Sequence, residues 1–137
     1  MRFLVSGRPE VMLPGMARAA TDFTITPLTA EHWPALEGLF GPAGASNGCW
    51  CMYWRIGPRY KDRPRDDNKG DLRRLAGSGR APGLLAFDGD LAVGWCELAP
   101  RADLGWLGHL RHLWPVDDLP VWSLACSTCG ARTAARA

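Results

Sequence analysis

The chain has 137 residues, a formal net charge of +2, and 47% hydrophobic against 22% charged residues. These proportions suit one globular domain with a real core, and they exclude a collagen-like, low-complexity or strongly charged disordered chain. The small net charge gives no argument for a nucleic-acid partner. No apolar stretch approaches the length of a membrane span, so no membrane partner is predicted either.

The beginning of the sequence shows little periodic signal, because proline and glycine interrupt it repeatedly. Residues 1–20 are therefore predicted to be a disordered arm, with Met16 as an alternative start and the domain itself over residues 21–126. The apolar run after Arg2 is too short for a secretory signal. A cytoplasmic location is expected, with the five cysteines reduced.

The first half of the domain reads as a strand followed by two helices. Residues 22–28 alternate apolar and polar side chains, which indicates a strand. Thr29 is then placed to cap a helix over residues 30–40, whose apolar residues repeat at helical spacing. A loop rich in small residues follows, and a short amphipathic helix is predicted over residues 66–76.

The second half reads as a hairpin and a final strand. Strands are predicted over residues 84–87 and 91–98, joined by a tight turn at Gly89. A long connection punctuated by proline and glycine leads to a last strand over residues 121–126. The predicted order is thus strand, helix, helix, hairpin, strand, which defines an α/β fold without a Rossmann-type crossover.

The most unusual segment is residues 48–55, which read GCWCMYWR. Aromatic rings with polar tips and soft sulfur atoms suit the wall of a small-molecule pocket, and a terminal arginine could bind a carboxylate. Simple core packing is the alternative. The residues predicted to bind substrate are Cys49, Trp50, Cys51, Tyr53, Trp54, Arg55 and, from the hairpin, Trp95.

Several pieces of the sequence, in this order and at this spacing, resemble the GNAT superfamily of N-acetyltransferases over about residues 22–126. The matching pieces are residues 40–42 (FGP), 48–55, Asn68 with the helix after it, 82–87 (PGLLAF), 93–96 (VGWC), 99–101 (APR) and 121–126 (VWSLAC). The resemblance implies a mixed, largely antiparallel sheet flanked by helices, truncated here after the fourth strand.

The resemblance also implies a reaction, the transfer of an acetyl group from acetyl-CoA to an amine of a small molecule or protein. The backbone of Leu124, Ala125 and Cys126 would then contact the pantetheine arm and stabilise an oxyanion. Such an enzyme needs a base that takes a proton from the acceptor ammonium. Glu97, the one acid inside a predicted strand, is the candidate; its alternative is a strand-end acid that faces water.

The resemblance stops near Cys126. In the family a loop with a Gly-x-Gly pattern and a helix N-terminus then hold the pyrophosphate of acetyl-CoA. Here residues 127–137 hold one glycine and no such pattern. They are predicted to be an irregular tail, which a frameshift would explain, and the chain is expected to have little or no activity alone. The alternative is a non-catalytic ligand-binding or partner-binding domain, with a homodimer formed through the exposed sheet edge.

The cysteines leave three interpretations open. Four of them, Cys49, Cys51, Cys126 and Cys129, could form a zinc site, but their spacing is poor for one. The preferred interpretation is that the thiols fill the core and the pocket wall. A redox or nucleophilic role is the third.

Overall fold

The computed structural model describes residues 22–130 and shows a four-stranded antiparallel sheet with the strand order β1-β2-β3-β4. Three α-helices and several short 3-10 turns accompany the sheet. The strands are β1 (Thr24–Pro27), β2 (Gly83–Asp88), β3 (Leu91–Pro100) and β4 (Trp122–Cys129), and the helices are α1 (Trp33–Phe40), α2 (Tyr53–Ile56) and α3 (Arg65–Gly77). The predicted α/β class and element order are confirmed, with α2 as an additional helix.

Helix α1 begins three residues later than predicted. Residue 30 is not helical, and the hydroxyl of Thr29 lies 3.2 Å from Nδ1 of His32 instead of capping the helix. Pro34 explains the shift, because proline has no N–H and is tolerated in the first turn of a helix but not in its interior. A helix starting at residue 30 would have placed Pro34 beyond the first turn.

The core lies between the helices and one face of the sheet, which we call the inner face. Alternate residues of β3 are buried there, and Leu85 of β2 pairs with Trp95 beside them. Helices α1 and α3 contribute Leu36 and Leu72, both fully buried, to the same cluster. Glu97 also lies on this face, so the alternative of a water-facing acid is wrong.

The β2–β3 hairpin closes as the sequence predicts. Asp88 pairs with Leu91, so the loop consists of two residues, Gly89 and Asp90. Gly89 alone has positive φ, at 60°, which is the pattern of a type II′ turn.

Strand β4 runs through Cys129, three residues beyond its predicted end. Ser127, Thr128 and Cys129 continue the ladder with β3, since each has a partner there. This part of the predicted irregular tail is therefore extended strand. The remainder of that tail, from residue 131, and the predicted arm over residues 1–20 lie outside the described residues.

The opposite, outer face of the sheet carries exposed apolar side chains. Phe23, Ile25, Trp122 and Leu124 are 49%, 54%, 66% and 66% exposed, respectively. They belong to the two edges of the sheet, where strands β1 and β4 have a neighbour on one side within the described sheet. No helix in the described part of the chain has the length and apolar content to cross a membrane.

Asn68 of α3 ties the loop after α1 to the rest of the fold. It is fully buried, and its amide nitrogen donates to the carbonyl oxygens of Gly48 and Tyr60, each at 2.9 Å. We expect Asn68→Ala to lower the free energy of unfolding by about 2–3 kcal/mol, because two buried carbonyls lose their donor. Urea unfolding measures this; Asp67→Ala, on the exposed side of the same helix turn, is the control and should change little. Equal effects of the two substitutions would contradict a stabilising role of the Asn68 hydrogen bonds.

Candidate functional site

The centre of the candidate site is a buried ion pair between Glu97 of β3 and Arg55 of α2. Glu97 is fully buried, and Oε1 lies 3.3 Å from Nε of Arg55. Neither carboxyl oxygen has a hydrogen-bond partner among the described residues. Arg55 is also anchored by a hydrogen bond from Nη1 to the carbonyl oxygen of Asp103, at 3.2 Å. Glu97 therefore retains free acceptor capacity inside the protein.

The backbone before α2 explains how Arg55 reaches this position. Trp50 and Cys51 have φ values of 47° and 59°, a left-handed conformation that is rare for residues with a side chain. After one helical turn the chain reverses at Gly57, whose φ is 71°. A Cβ at Gly57 would lie 2.4 Å from the ring of Trp106, so only glycine fits there. These bends direct the one-turn helix, and Arg55 with it, toward β3.

Burial raises the pKa of Glu97 to about 7. The Arg55 guanidinium acts in the opposite direction and lowers the pKa, while the nearby Cys126 thiol raises it further. A carboxyl group with a pKa near neutrality can both accept and release a proton under physiological conditions.

Two thiols lie next to this carboxyl. Cys126 pairs directly with Glu97 in the sheet register, and it packs against the core cluster that contains Cys51. The interaction between the Cys51 and Cys126 thiols lowers the pKa of Cys126 and raises that of Cys51. Cys51 Sγ in turn accepts a hydrogen bond from Nε1 of Trp95, at 3.2 Å. Trp95, Cys51 and Cys126 thus form a connected group of polar side chains in the core, and Glu97 lies opposite Cys126 in the sheet.

A cavity of about 760 Å³ opens beside the ion pair. Arg55 lines it, as do Arg80 and Asp103, which form an ion pair at 3.3 Å. The other lining residues are mostly apolar and come from the ends of β1–β3, the end of α3 and β4; they include Pro27, Leu75, Pro82, Gly83, Leu84, Leu98, Ala99 and Trp122. The volume lies within the range of small-molecule sites, and Arg55 connects the cavity to Glu97.

Of the seven residues predicted to bind substrate, Arg55 is the one that lines this cavity. Trp50, Cys51 and Trp95 are at most 5% exposed and belong to the core. Trp50 stacks on Trp33 with ring centroids 5.8 Å apart. Core packing, the alternative interpretation, therefore describes these three residues.

The remaining predicted residues are partly buried around α2. The rings of Tyr53 and Trp54 meet edge to face, with centroids 4.9 Å apart, and Trp54 packs on a small cluster with Ala99. Cys49 is half-buried, and burial raises the pKa of its thiol. None of the three appears among the residues that line the cavity.

The residues predicted to hold a cofactor surround a bulge in β4. Glu97 pairs with Cys126 and Leu98 with Leu124, which leaves Ala125 opposite no residue of β3. A bulge displaces peptide groups from the regular ladder and so frees them for other partners. The side chain of Leu124 lies on the exposed outer face and that of Cys126 on the inner face.

Three contributors to the site were not found by sequence reasoning. Arg80, Asp103 and Gly83 line the cavity, but they lie in a loop, a 3-10 turn and the first position of a strand. Nothing in their local sequence marks them, because their proximity depends on how the sheet brings distant segments together.

The four cysteines of the zinc interpretation do not converge. Cys126 pairs with Glu97 on the inner face, whereas Cys129 is exposed and pairs with Gly94. Across residues 22–130, no three histidine, cysteine or acidic side chains are grouped closely enough to hold a metal ion.

Comparison with known proteins yields no relative: no family model, no curated protein and no solved structure matches the chain.

The raised pKa of Glu97 predicts a specific pH dependence of stability. The folded protein holds this proton up to about pH 7, whereas the unfolded chain releases it near the ordinary value of 4.5. The unfolded state therefore binds fewer protons between these values, and stability falls as pH rises through them. Relative to Glu97→Gln, the wild type should lose about 3 kcal/mol between pH 4.5 and pH 8.

Urea unfolding of both proteins across this pH range measures the difference. Asp117→Asn, at an exposed acid, serves as the control and should follow the wild type. A constant difference between wild type and Glu97→Gln would show that the folded protein leaves the pKa of Glu97 near its ordinary value.

Proposed function

We propose that this protein is an N-acetyltransferase-like protein of GNAT type, in which Glu97 receives the proton of an amine acceptor. The observation that carries the proposal is the buried Glu97 carboxyl, with a pKa of about 7, paired with Arg55, which lines a cavity that Glu97 itself does not line. A mixed α/β fold built on an antiparallel sheet is compatible with this class. The assignment to the GNAT type itself rests on the sequence resemblance over about residues 22–126.

In the proposed reaction the Glu97 carboxylate accepts a proton, and the bulge in β4 stabilises the oxyanion. An ammonium acceptor in the cavity would pass its proton toward the buried Glu97 through water, and the resulting amine would attack the thioester carbonyl of acetyl-CoA. The amine–acetyl bond forms, the carbon–sulfur bond breaks, and the CoA thiolate leaves with a proton. Backbone N–H groups around Ala125 would stabilise the developing oxyanion. Arg55 would hold Glu97 in place and limit how far its pKa rises.

Acetyl-CoA binding is expected to be weak in the proposed enzyme. Residues 127–137 supply no Gly-x-Gly loop for a pyrophosphate, and Ser127–Cys129 are already engaged in the ladder with β3. We place the protein in the cytoplasm, with a small-molecule amine as acceptor.

The test is acetyl-CoA binding by calorimetry, followed by release of CoA thiol with a panel of small amines. Turnover that falls at least tenfold in Glu97→Gln, with acetyl-CoA affinity unchanged, would support the assigned base. Asp117→Asn is the control variant. Turnover that Glu97→Gln leaves unchanged would overturn the assigned base, and absence of acetyl-CoA binding by the folded protein would overturn the acetyltransferase class.

The second candidate is a non-catalytic ligand-binding domain, favoured by the cavity itself. Its apolar wall carries the opposed charges of Arg80 and Asp103, which suits a ligand with both polar and apolar parts. Binding of small amines or carboxylates by NMR titration, in the absence of acetyl-CoA binding, would support this candidate. A homodimer through the β4 edge would appear as a doubled mass in solution.

A further inference from the structure

Cys51 and Cys126 differ from the other cysteines of the described chain in their contact with each other. They come from elements 75 positions apart, the loop before α2 and strand β4, and yet their side chains meet inside the core, where Cys126 packs against the cluster that contains Cys51. Cys51 is 5% exposed, whereas Cys126 is partly exposed. A partly accessible thiol in contact with a buried one is the arrangement of an attacking and a resolving cysteine.

The backbone at Cys51 supports a role beyond packing. Cys51 and its neighbour Trp50 both have φ in the left-handed region, at 59° and 47°. Such a conformation costs about 1–2 kcal/mol for each residue with a side chain, so it persists only where surrounding contacts impose it. Here Trp95 Nε1 of β3 donates to Cys51 Sγ, and Asn68 holds the carbonyl of Gly48 three residues earlier in the same loop.

We propose that Cys51 and Cys126 are a peroxide-sensitive dithiol, which a hydroperoxide converts into an intramolecular disulfide. The inference does not depend on the proposed acetyl transfer, since it concerns the thiols alone.

The chemistry proceeds in two balanced steps. The Cys126 thiolate attacks the outer oxygen of the hydroperoxide; the O–O bond breaks, the alcohol or water leaves with a proton, and Cys126 becomes a sulfenic acid. The Cys51 sulfur then attacks Cys126 Sγ, and its proton leaves with the displaced hydroxide as water. Two thiols are oxidised, one hydroperoxide is reduced, and one S–S bond forms.

The other thiols are less suited to this reaction. Burial raises the pKa of both Cys49 and Cys96, which reduces their thiolate fraction, while the neighbouring Cys51 thiol lowers the pKa of Cys126. Cys129 is exposed on β4 at a position that pairs with Gly94, away from Cys51. Selectivity for one pair is therefore expected.

The disulfide would form beside Glu97 and change its surroundings. It would remove the Cys126 thiolate, whose charge opposes ionisation of Glu97. It would also convert Cys51 Sγ, the acceptor of the Trp95 indole N–H, from a thiol into a disulfide sulfur. Oxidation should thus alter tryptophan fluorescence, and a thiol reductant should reverse the change.

The test uses the full chain, reduced and then treated with a small excess of hydrogen peroxide. Whole-protein mass should fall by two hydrogens, and tandem mass spectrometry of chymotryptic peptides should link Cys51 to Cys126. Cleavage after Trp50 separates Cys49 from Cys51, so the partners can be distinguished. Dithiothreitol should restore the original mass.

Cysteine variants test whether Cys51 and Cys126 are the pair that forms the disulfide. The triple variant Cys49→Ser, Cys96→Ser, Cys129→Ser should still form the disulfide, whereas Cys51→Ser should leave Cys126 as a sulfenic acid that dimedone traps. A link between any other pair, a link between two chains, or irreversible oxidation of Cys126 in the wild type would overturn the proposal. The wild-type peptide map decides the question even if a variant fails to fold.

Discussion

Replacing Arg55 by methionine should destabilise the protein by about 2 kcal/mol at pH 8, because the buried Glu97 carboxyl loses the counter-charge that favours its ionised form and must take up a proton. Glu97 is fully buried and Arg55 is 12% exposed, so solvent screens the pair little. At pH 5 the carboxyl is protonated and needs no cation. The remaining loss there is the hydrogen bond to the Asp103 carbonyl, which contributes about 1 kcal/mol.

The measurement is urea unfolding of wild type and Arg55→Met at pH 5 and pH 8. Arg80→Met is a matched control, since Arg80 pairs with Asp103 but is 74% exposed, and exposed pairs contribute about 0–1 kcal/mol. An Arg55→Met effect that is equal at the two pH values would mean that the ion pair does not set the protonation of Glu97.

Gly83→Ala should be the most damaging single methyl addition in the sheet. A Cβ at Gly83 would lie 2.2 Å from the carbonyl oxygen of Cys96 and 2.5 Å from the ring of Trp95. The first neighbour is backbone of the adjacent strand and cannot rotate away, so β2 and β3 would have to separate opposite Glu97. We expect a loss of about 3 kcal/mol, the upper end for an overpacked position.

Gly38→Ala offers the matched comparison. Gly38 is an exposed position of α1 where a Cβ would meet nothing within 4 Å. The same substitution should there stabilise the protein by about 0.5–1 kcal/mol, because alanine is the better helix residue. Chemical denaturation of both variants tests the pair, and a Gly83→Ala protein as stable as Gly38→Ala would refute the close approach of the strands.

The fold followed from the sequence where local chemistry decides local structure. Alternation defined β1 and β3, and Gly89 closed the hairpin in a two-residue turn, although the register of the hairpin shifts by one residue between Ala86 and Phe87. The predictions failed at boundaries that depend on other elements. Proline at position 34 delayed α1, and pairing with β3 extended β4 through Cys129.

The candidate site could be predicted only in part. Glu97 stood out because a lone acid in a strand must have a partner if it is buried, but the identity of that partner required the path of the chain through α2. The prediction that Trp50 lines a pocket was wrong for a physical reason, because tryptophan suits both a pocket wall and a core. In the structure Trp50 packs against Trp33 and Phe40 in the core. Arg80 and Asp103 carry no local signal, because sheet topology alone brings them to the cavity.

The exposed outer face of the sheet has a practical consequence for stability measurements. Dyes that fluoresce on apolar surface report unfolding only when the native protein binds them poorly. Side chains such as Ile25, Trp122 and Leu124 already offer such a surface in the folded state. A dye-based melting curve should therefore start from a high signal and show a shallow transition. The buried indoles of Trp33, Trp50 and Trp95 would instead report unfolding through their own emission.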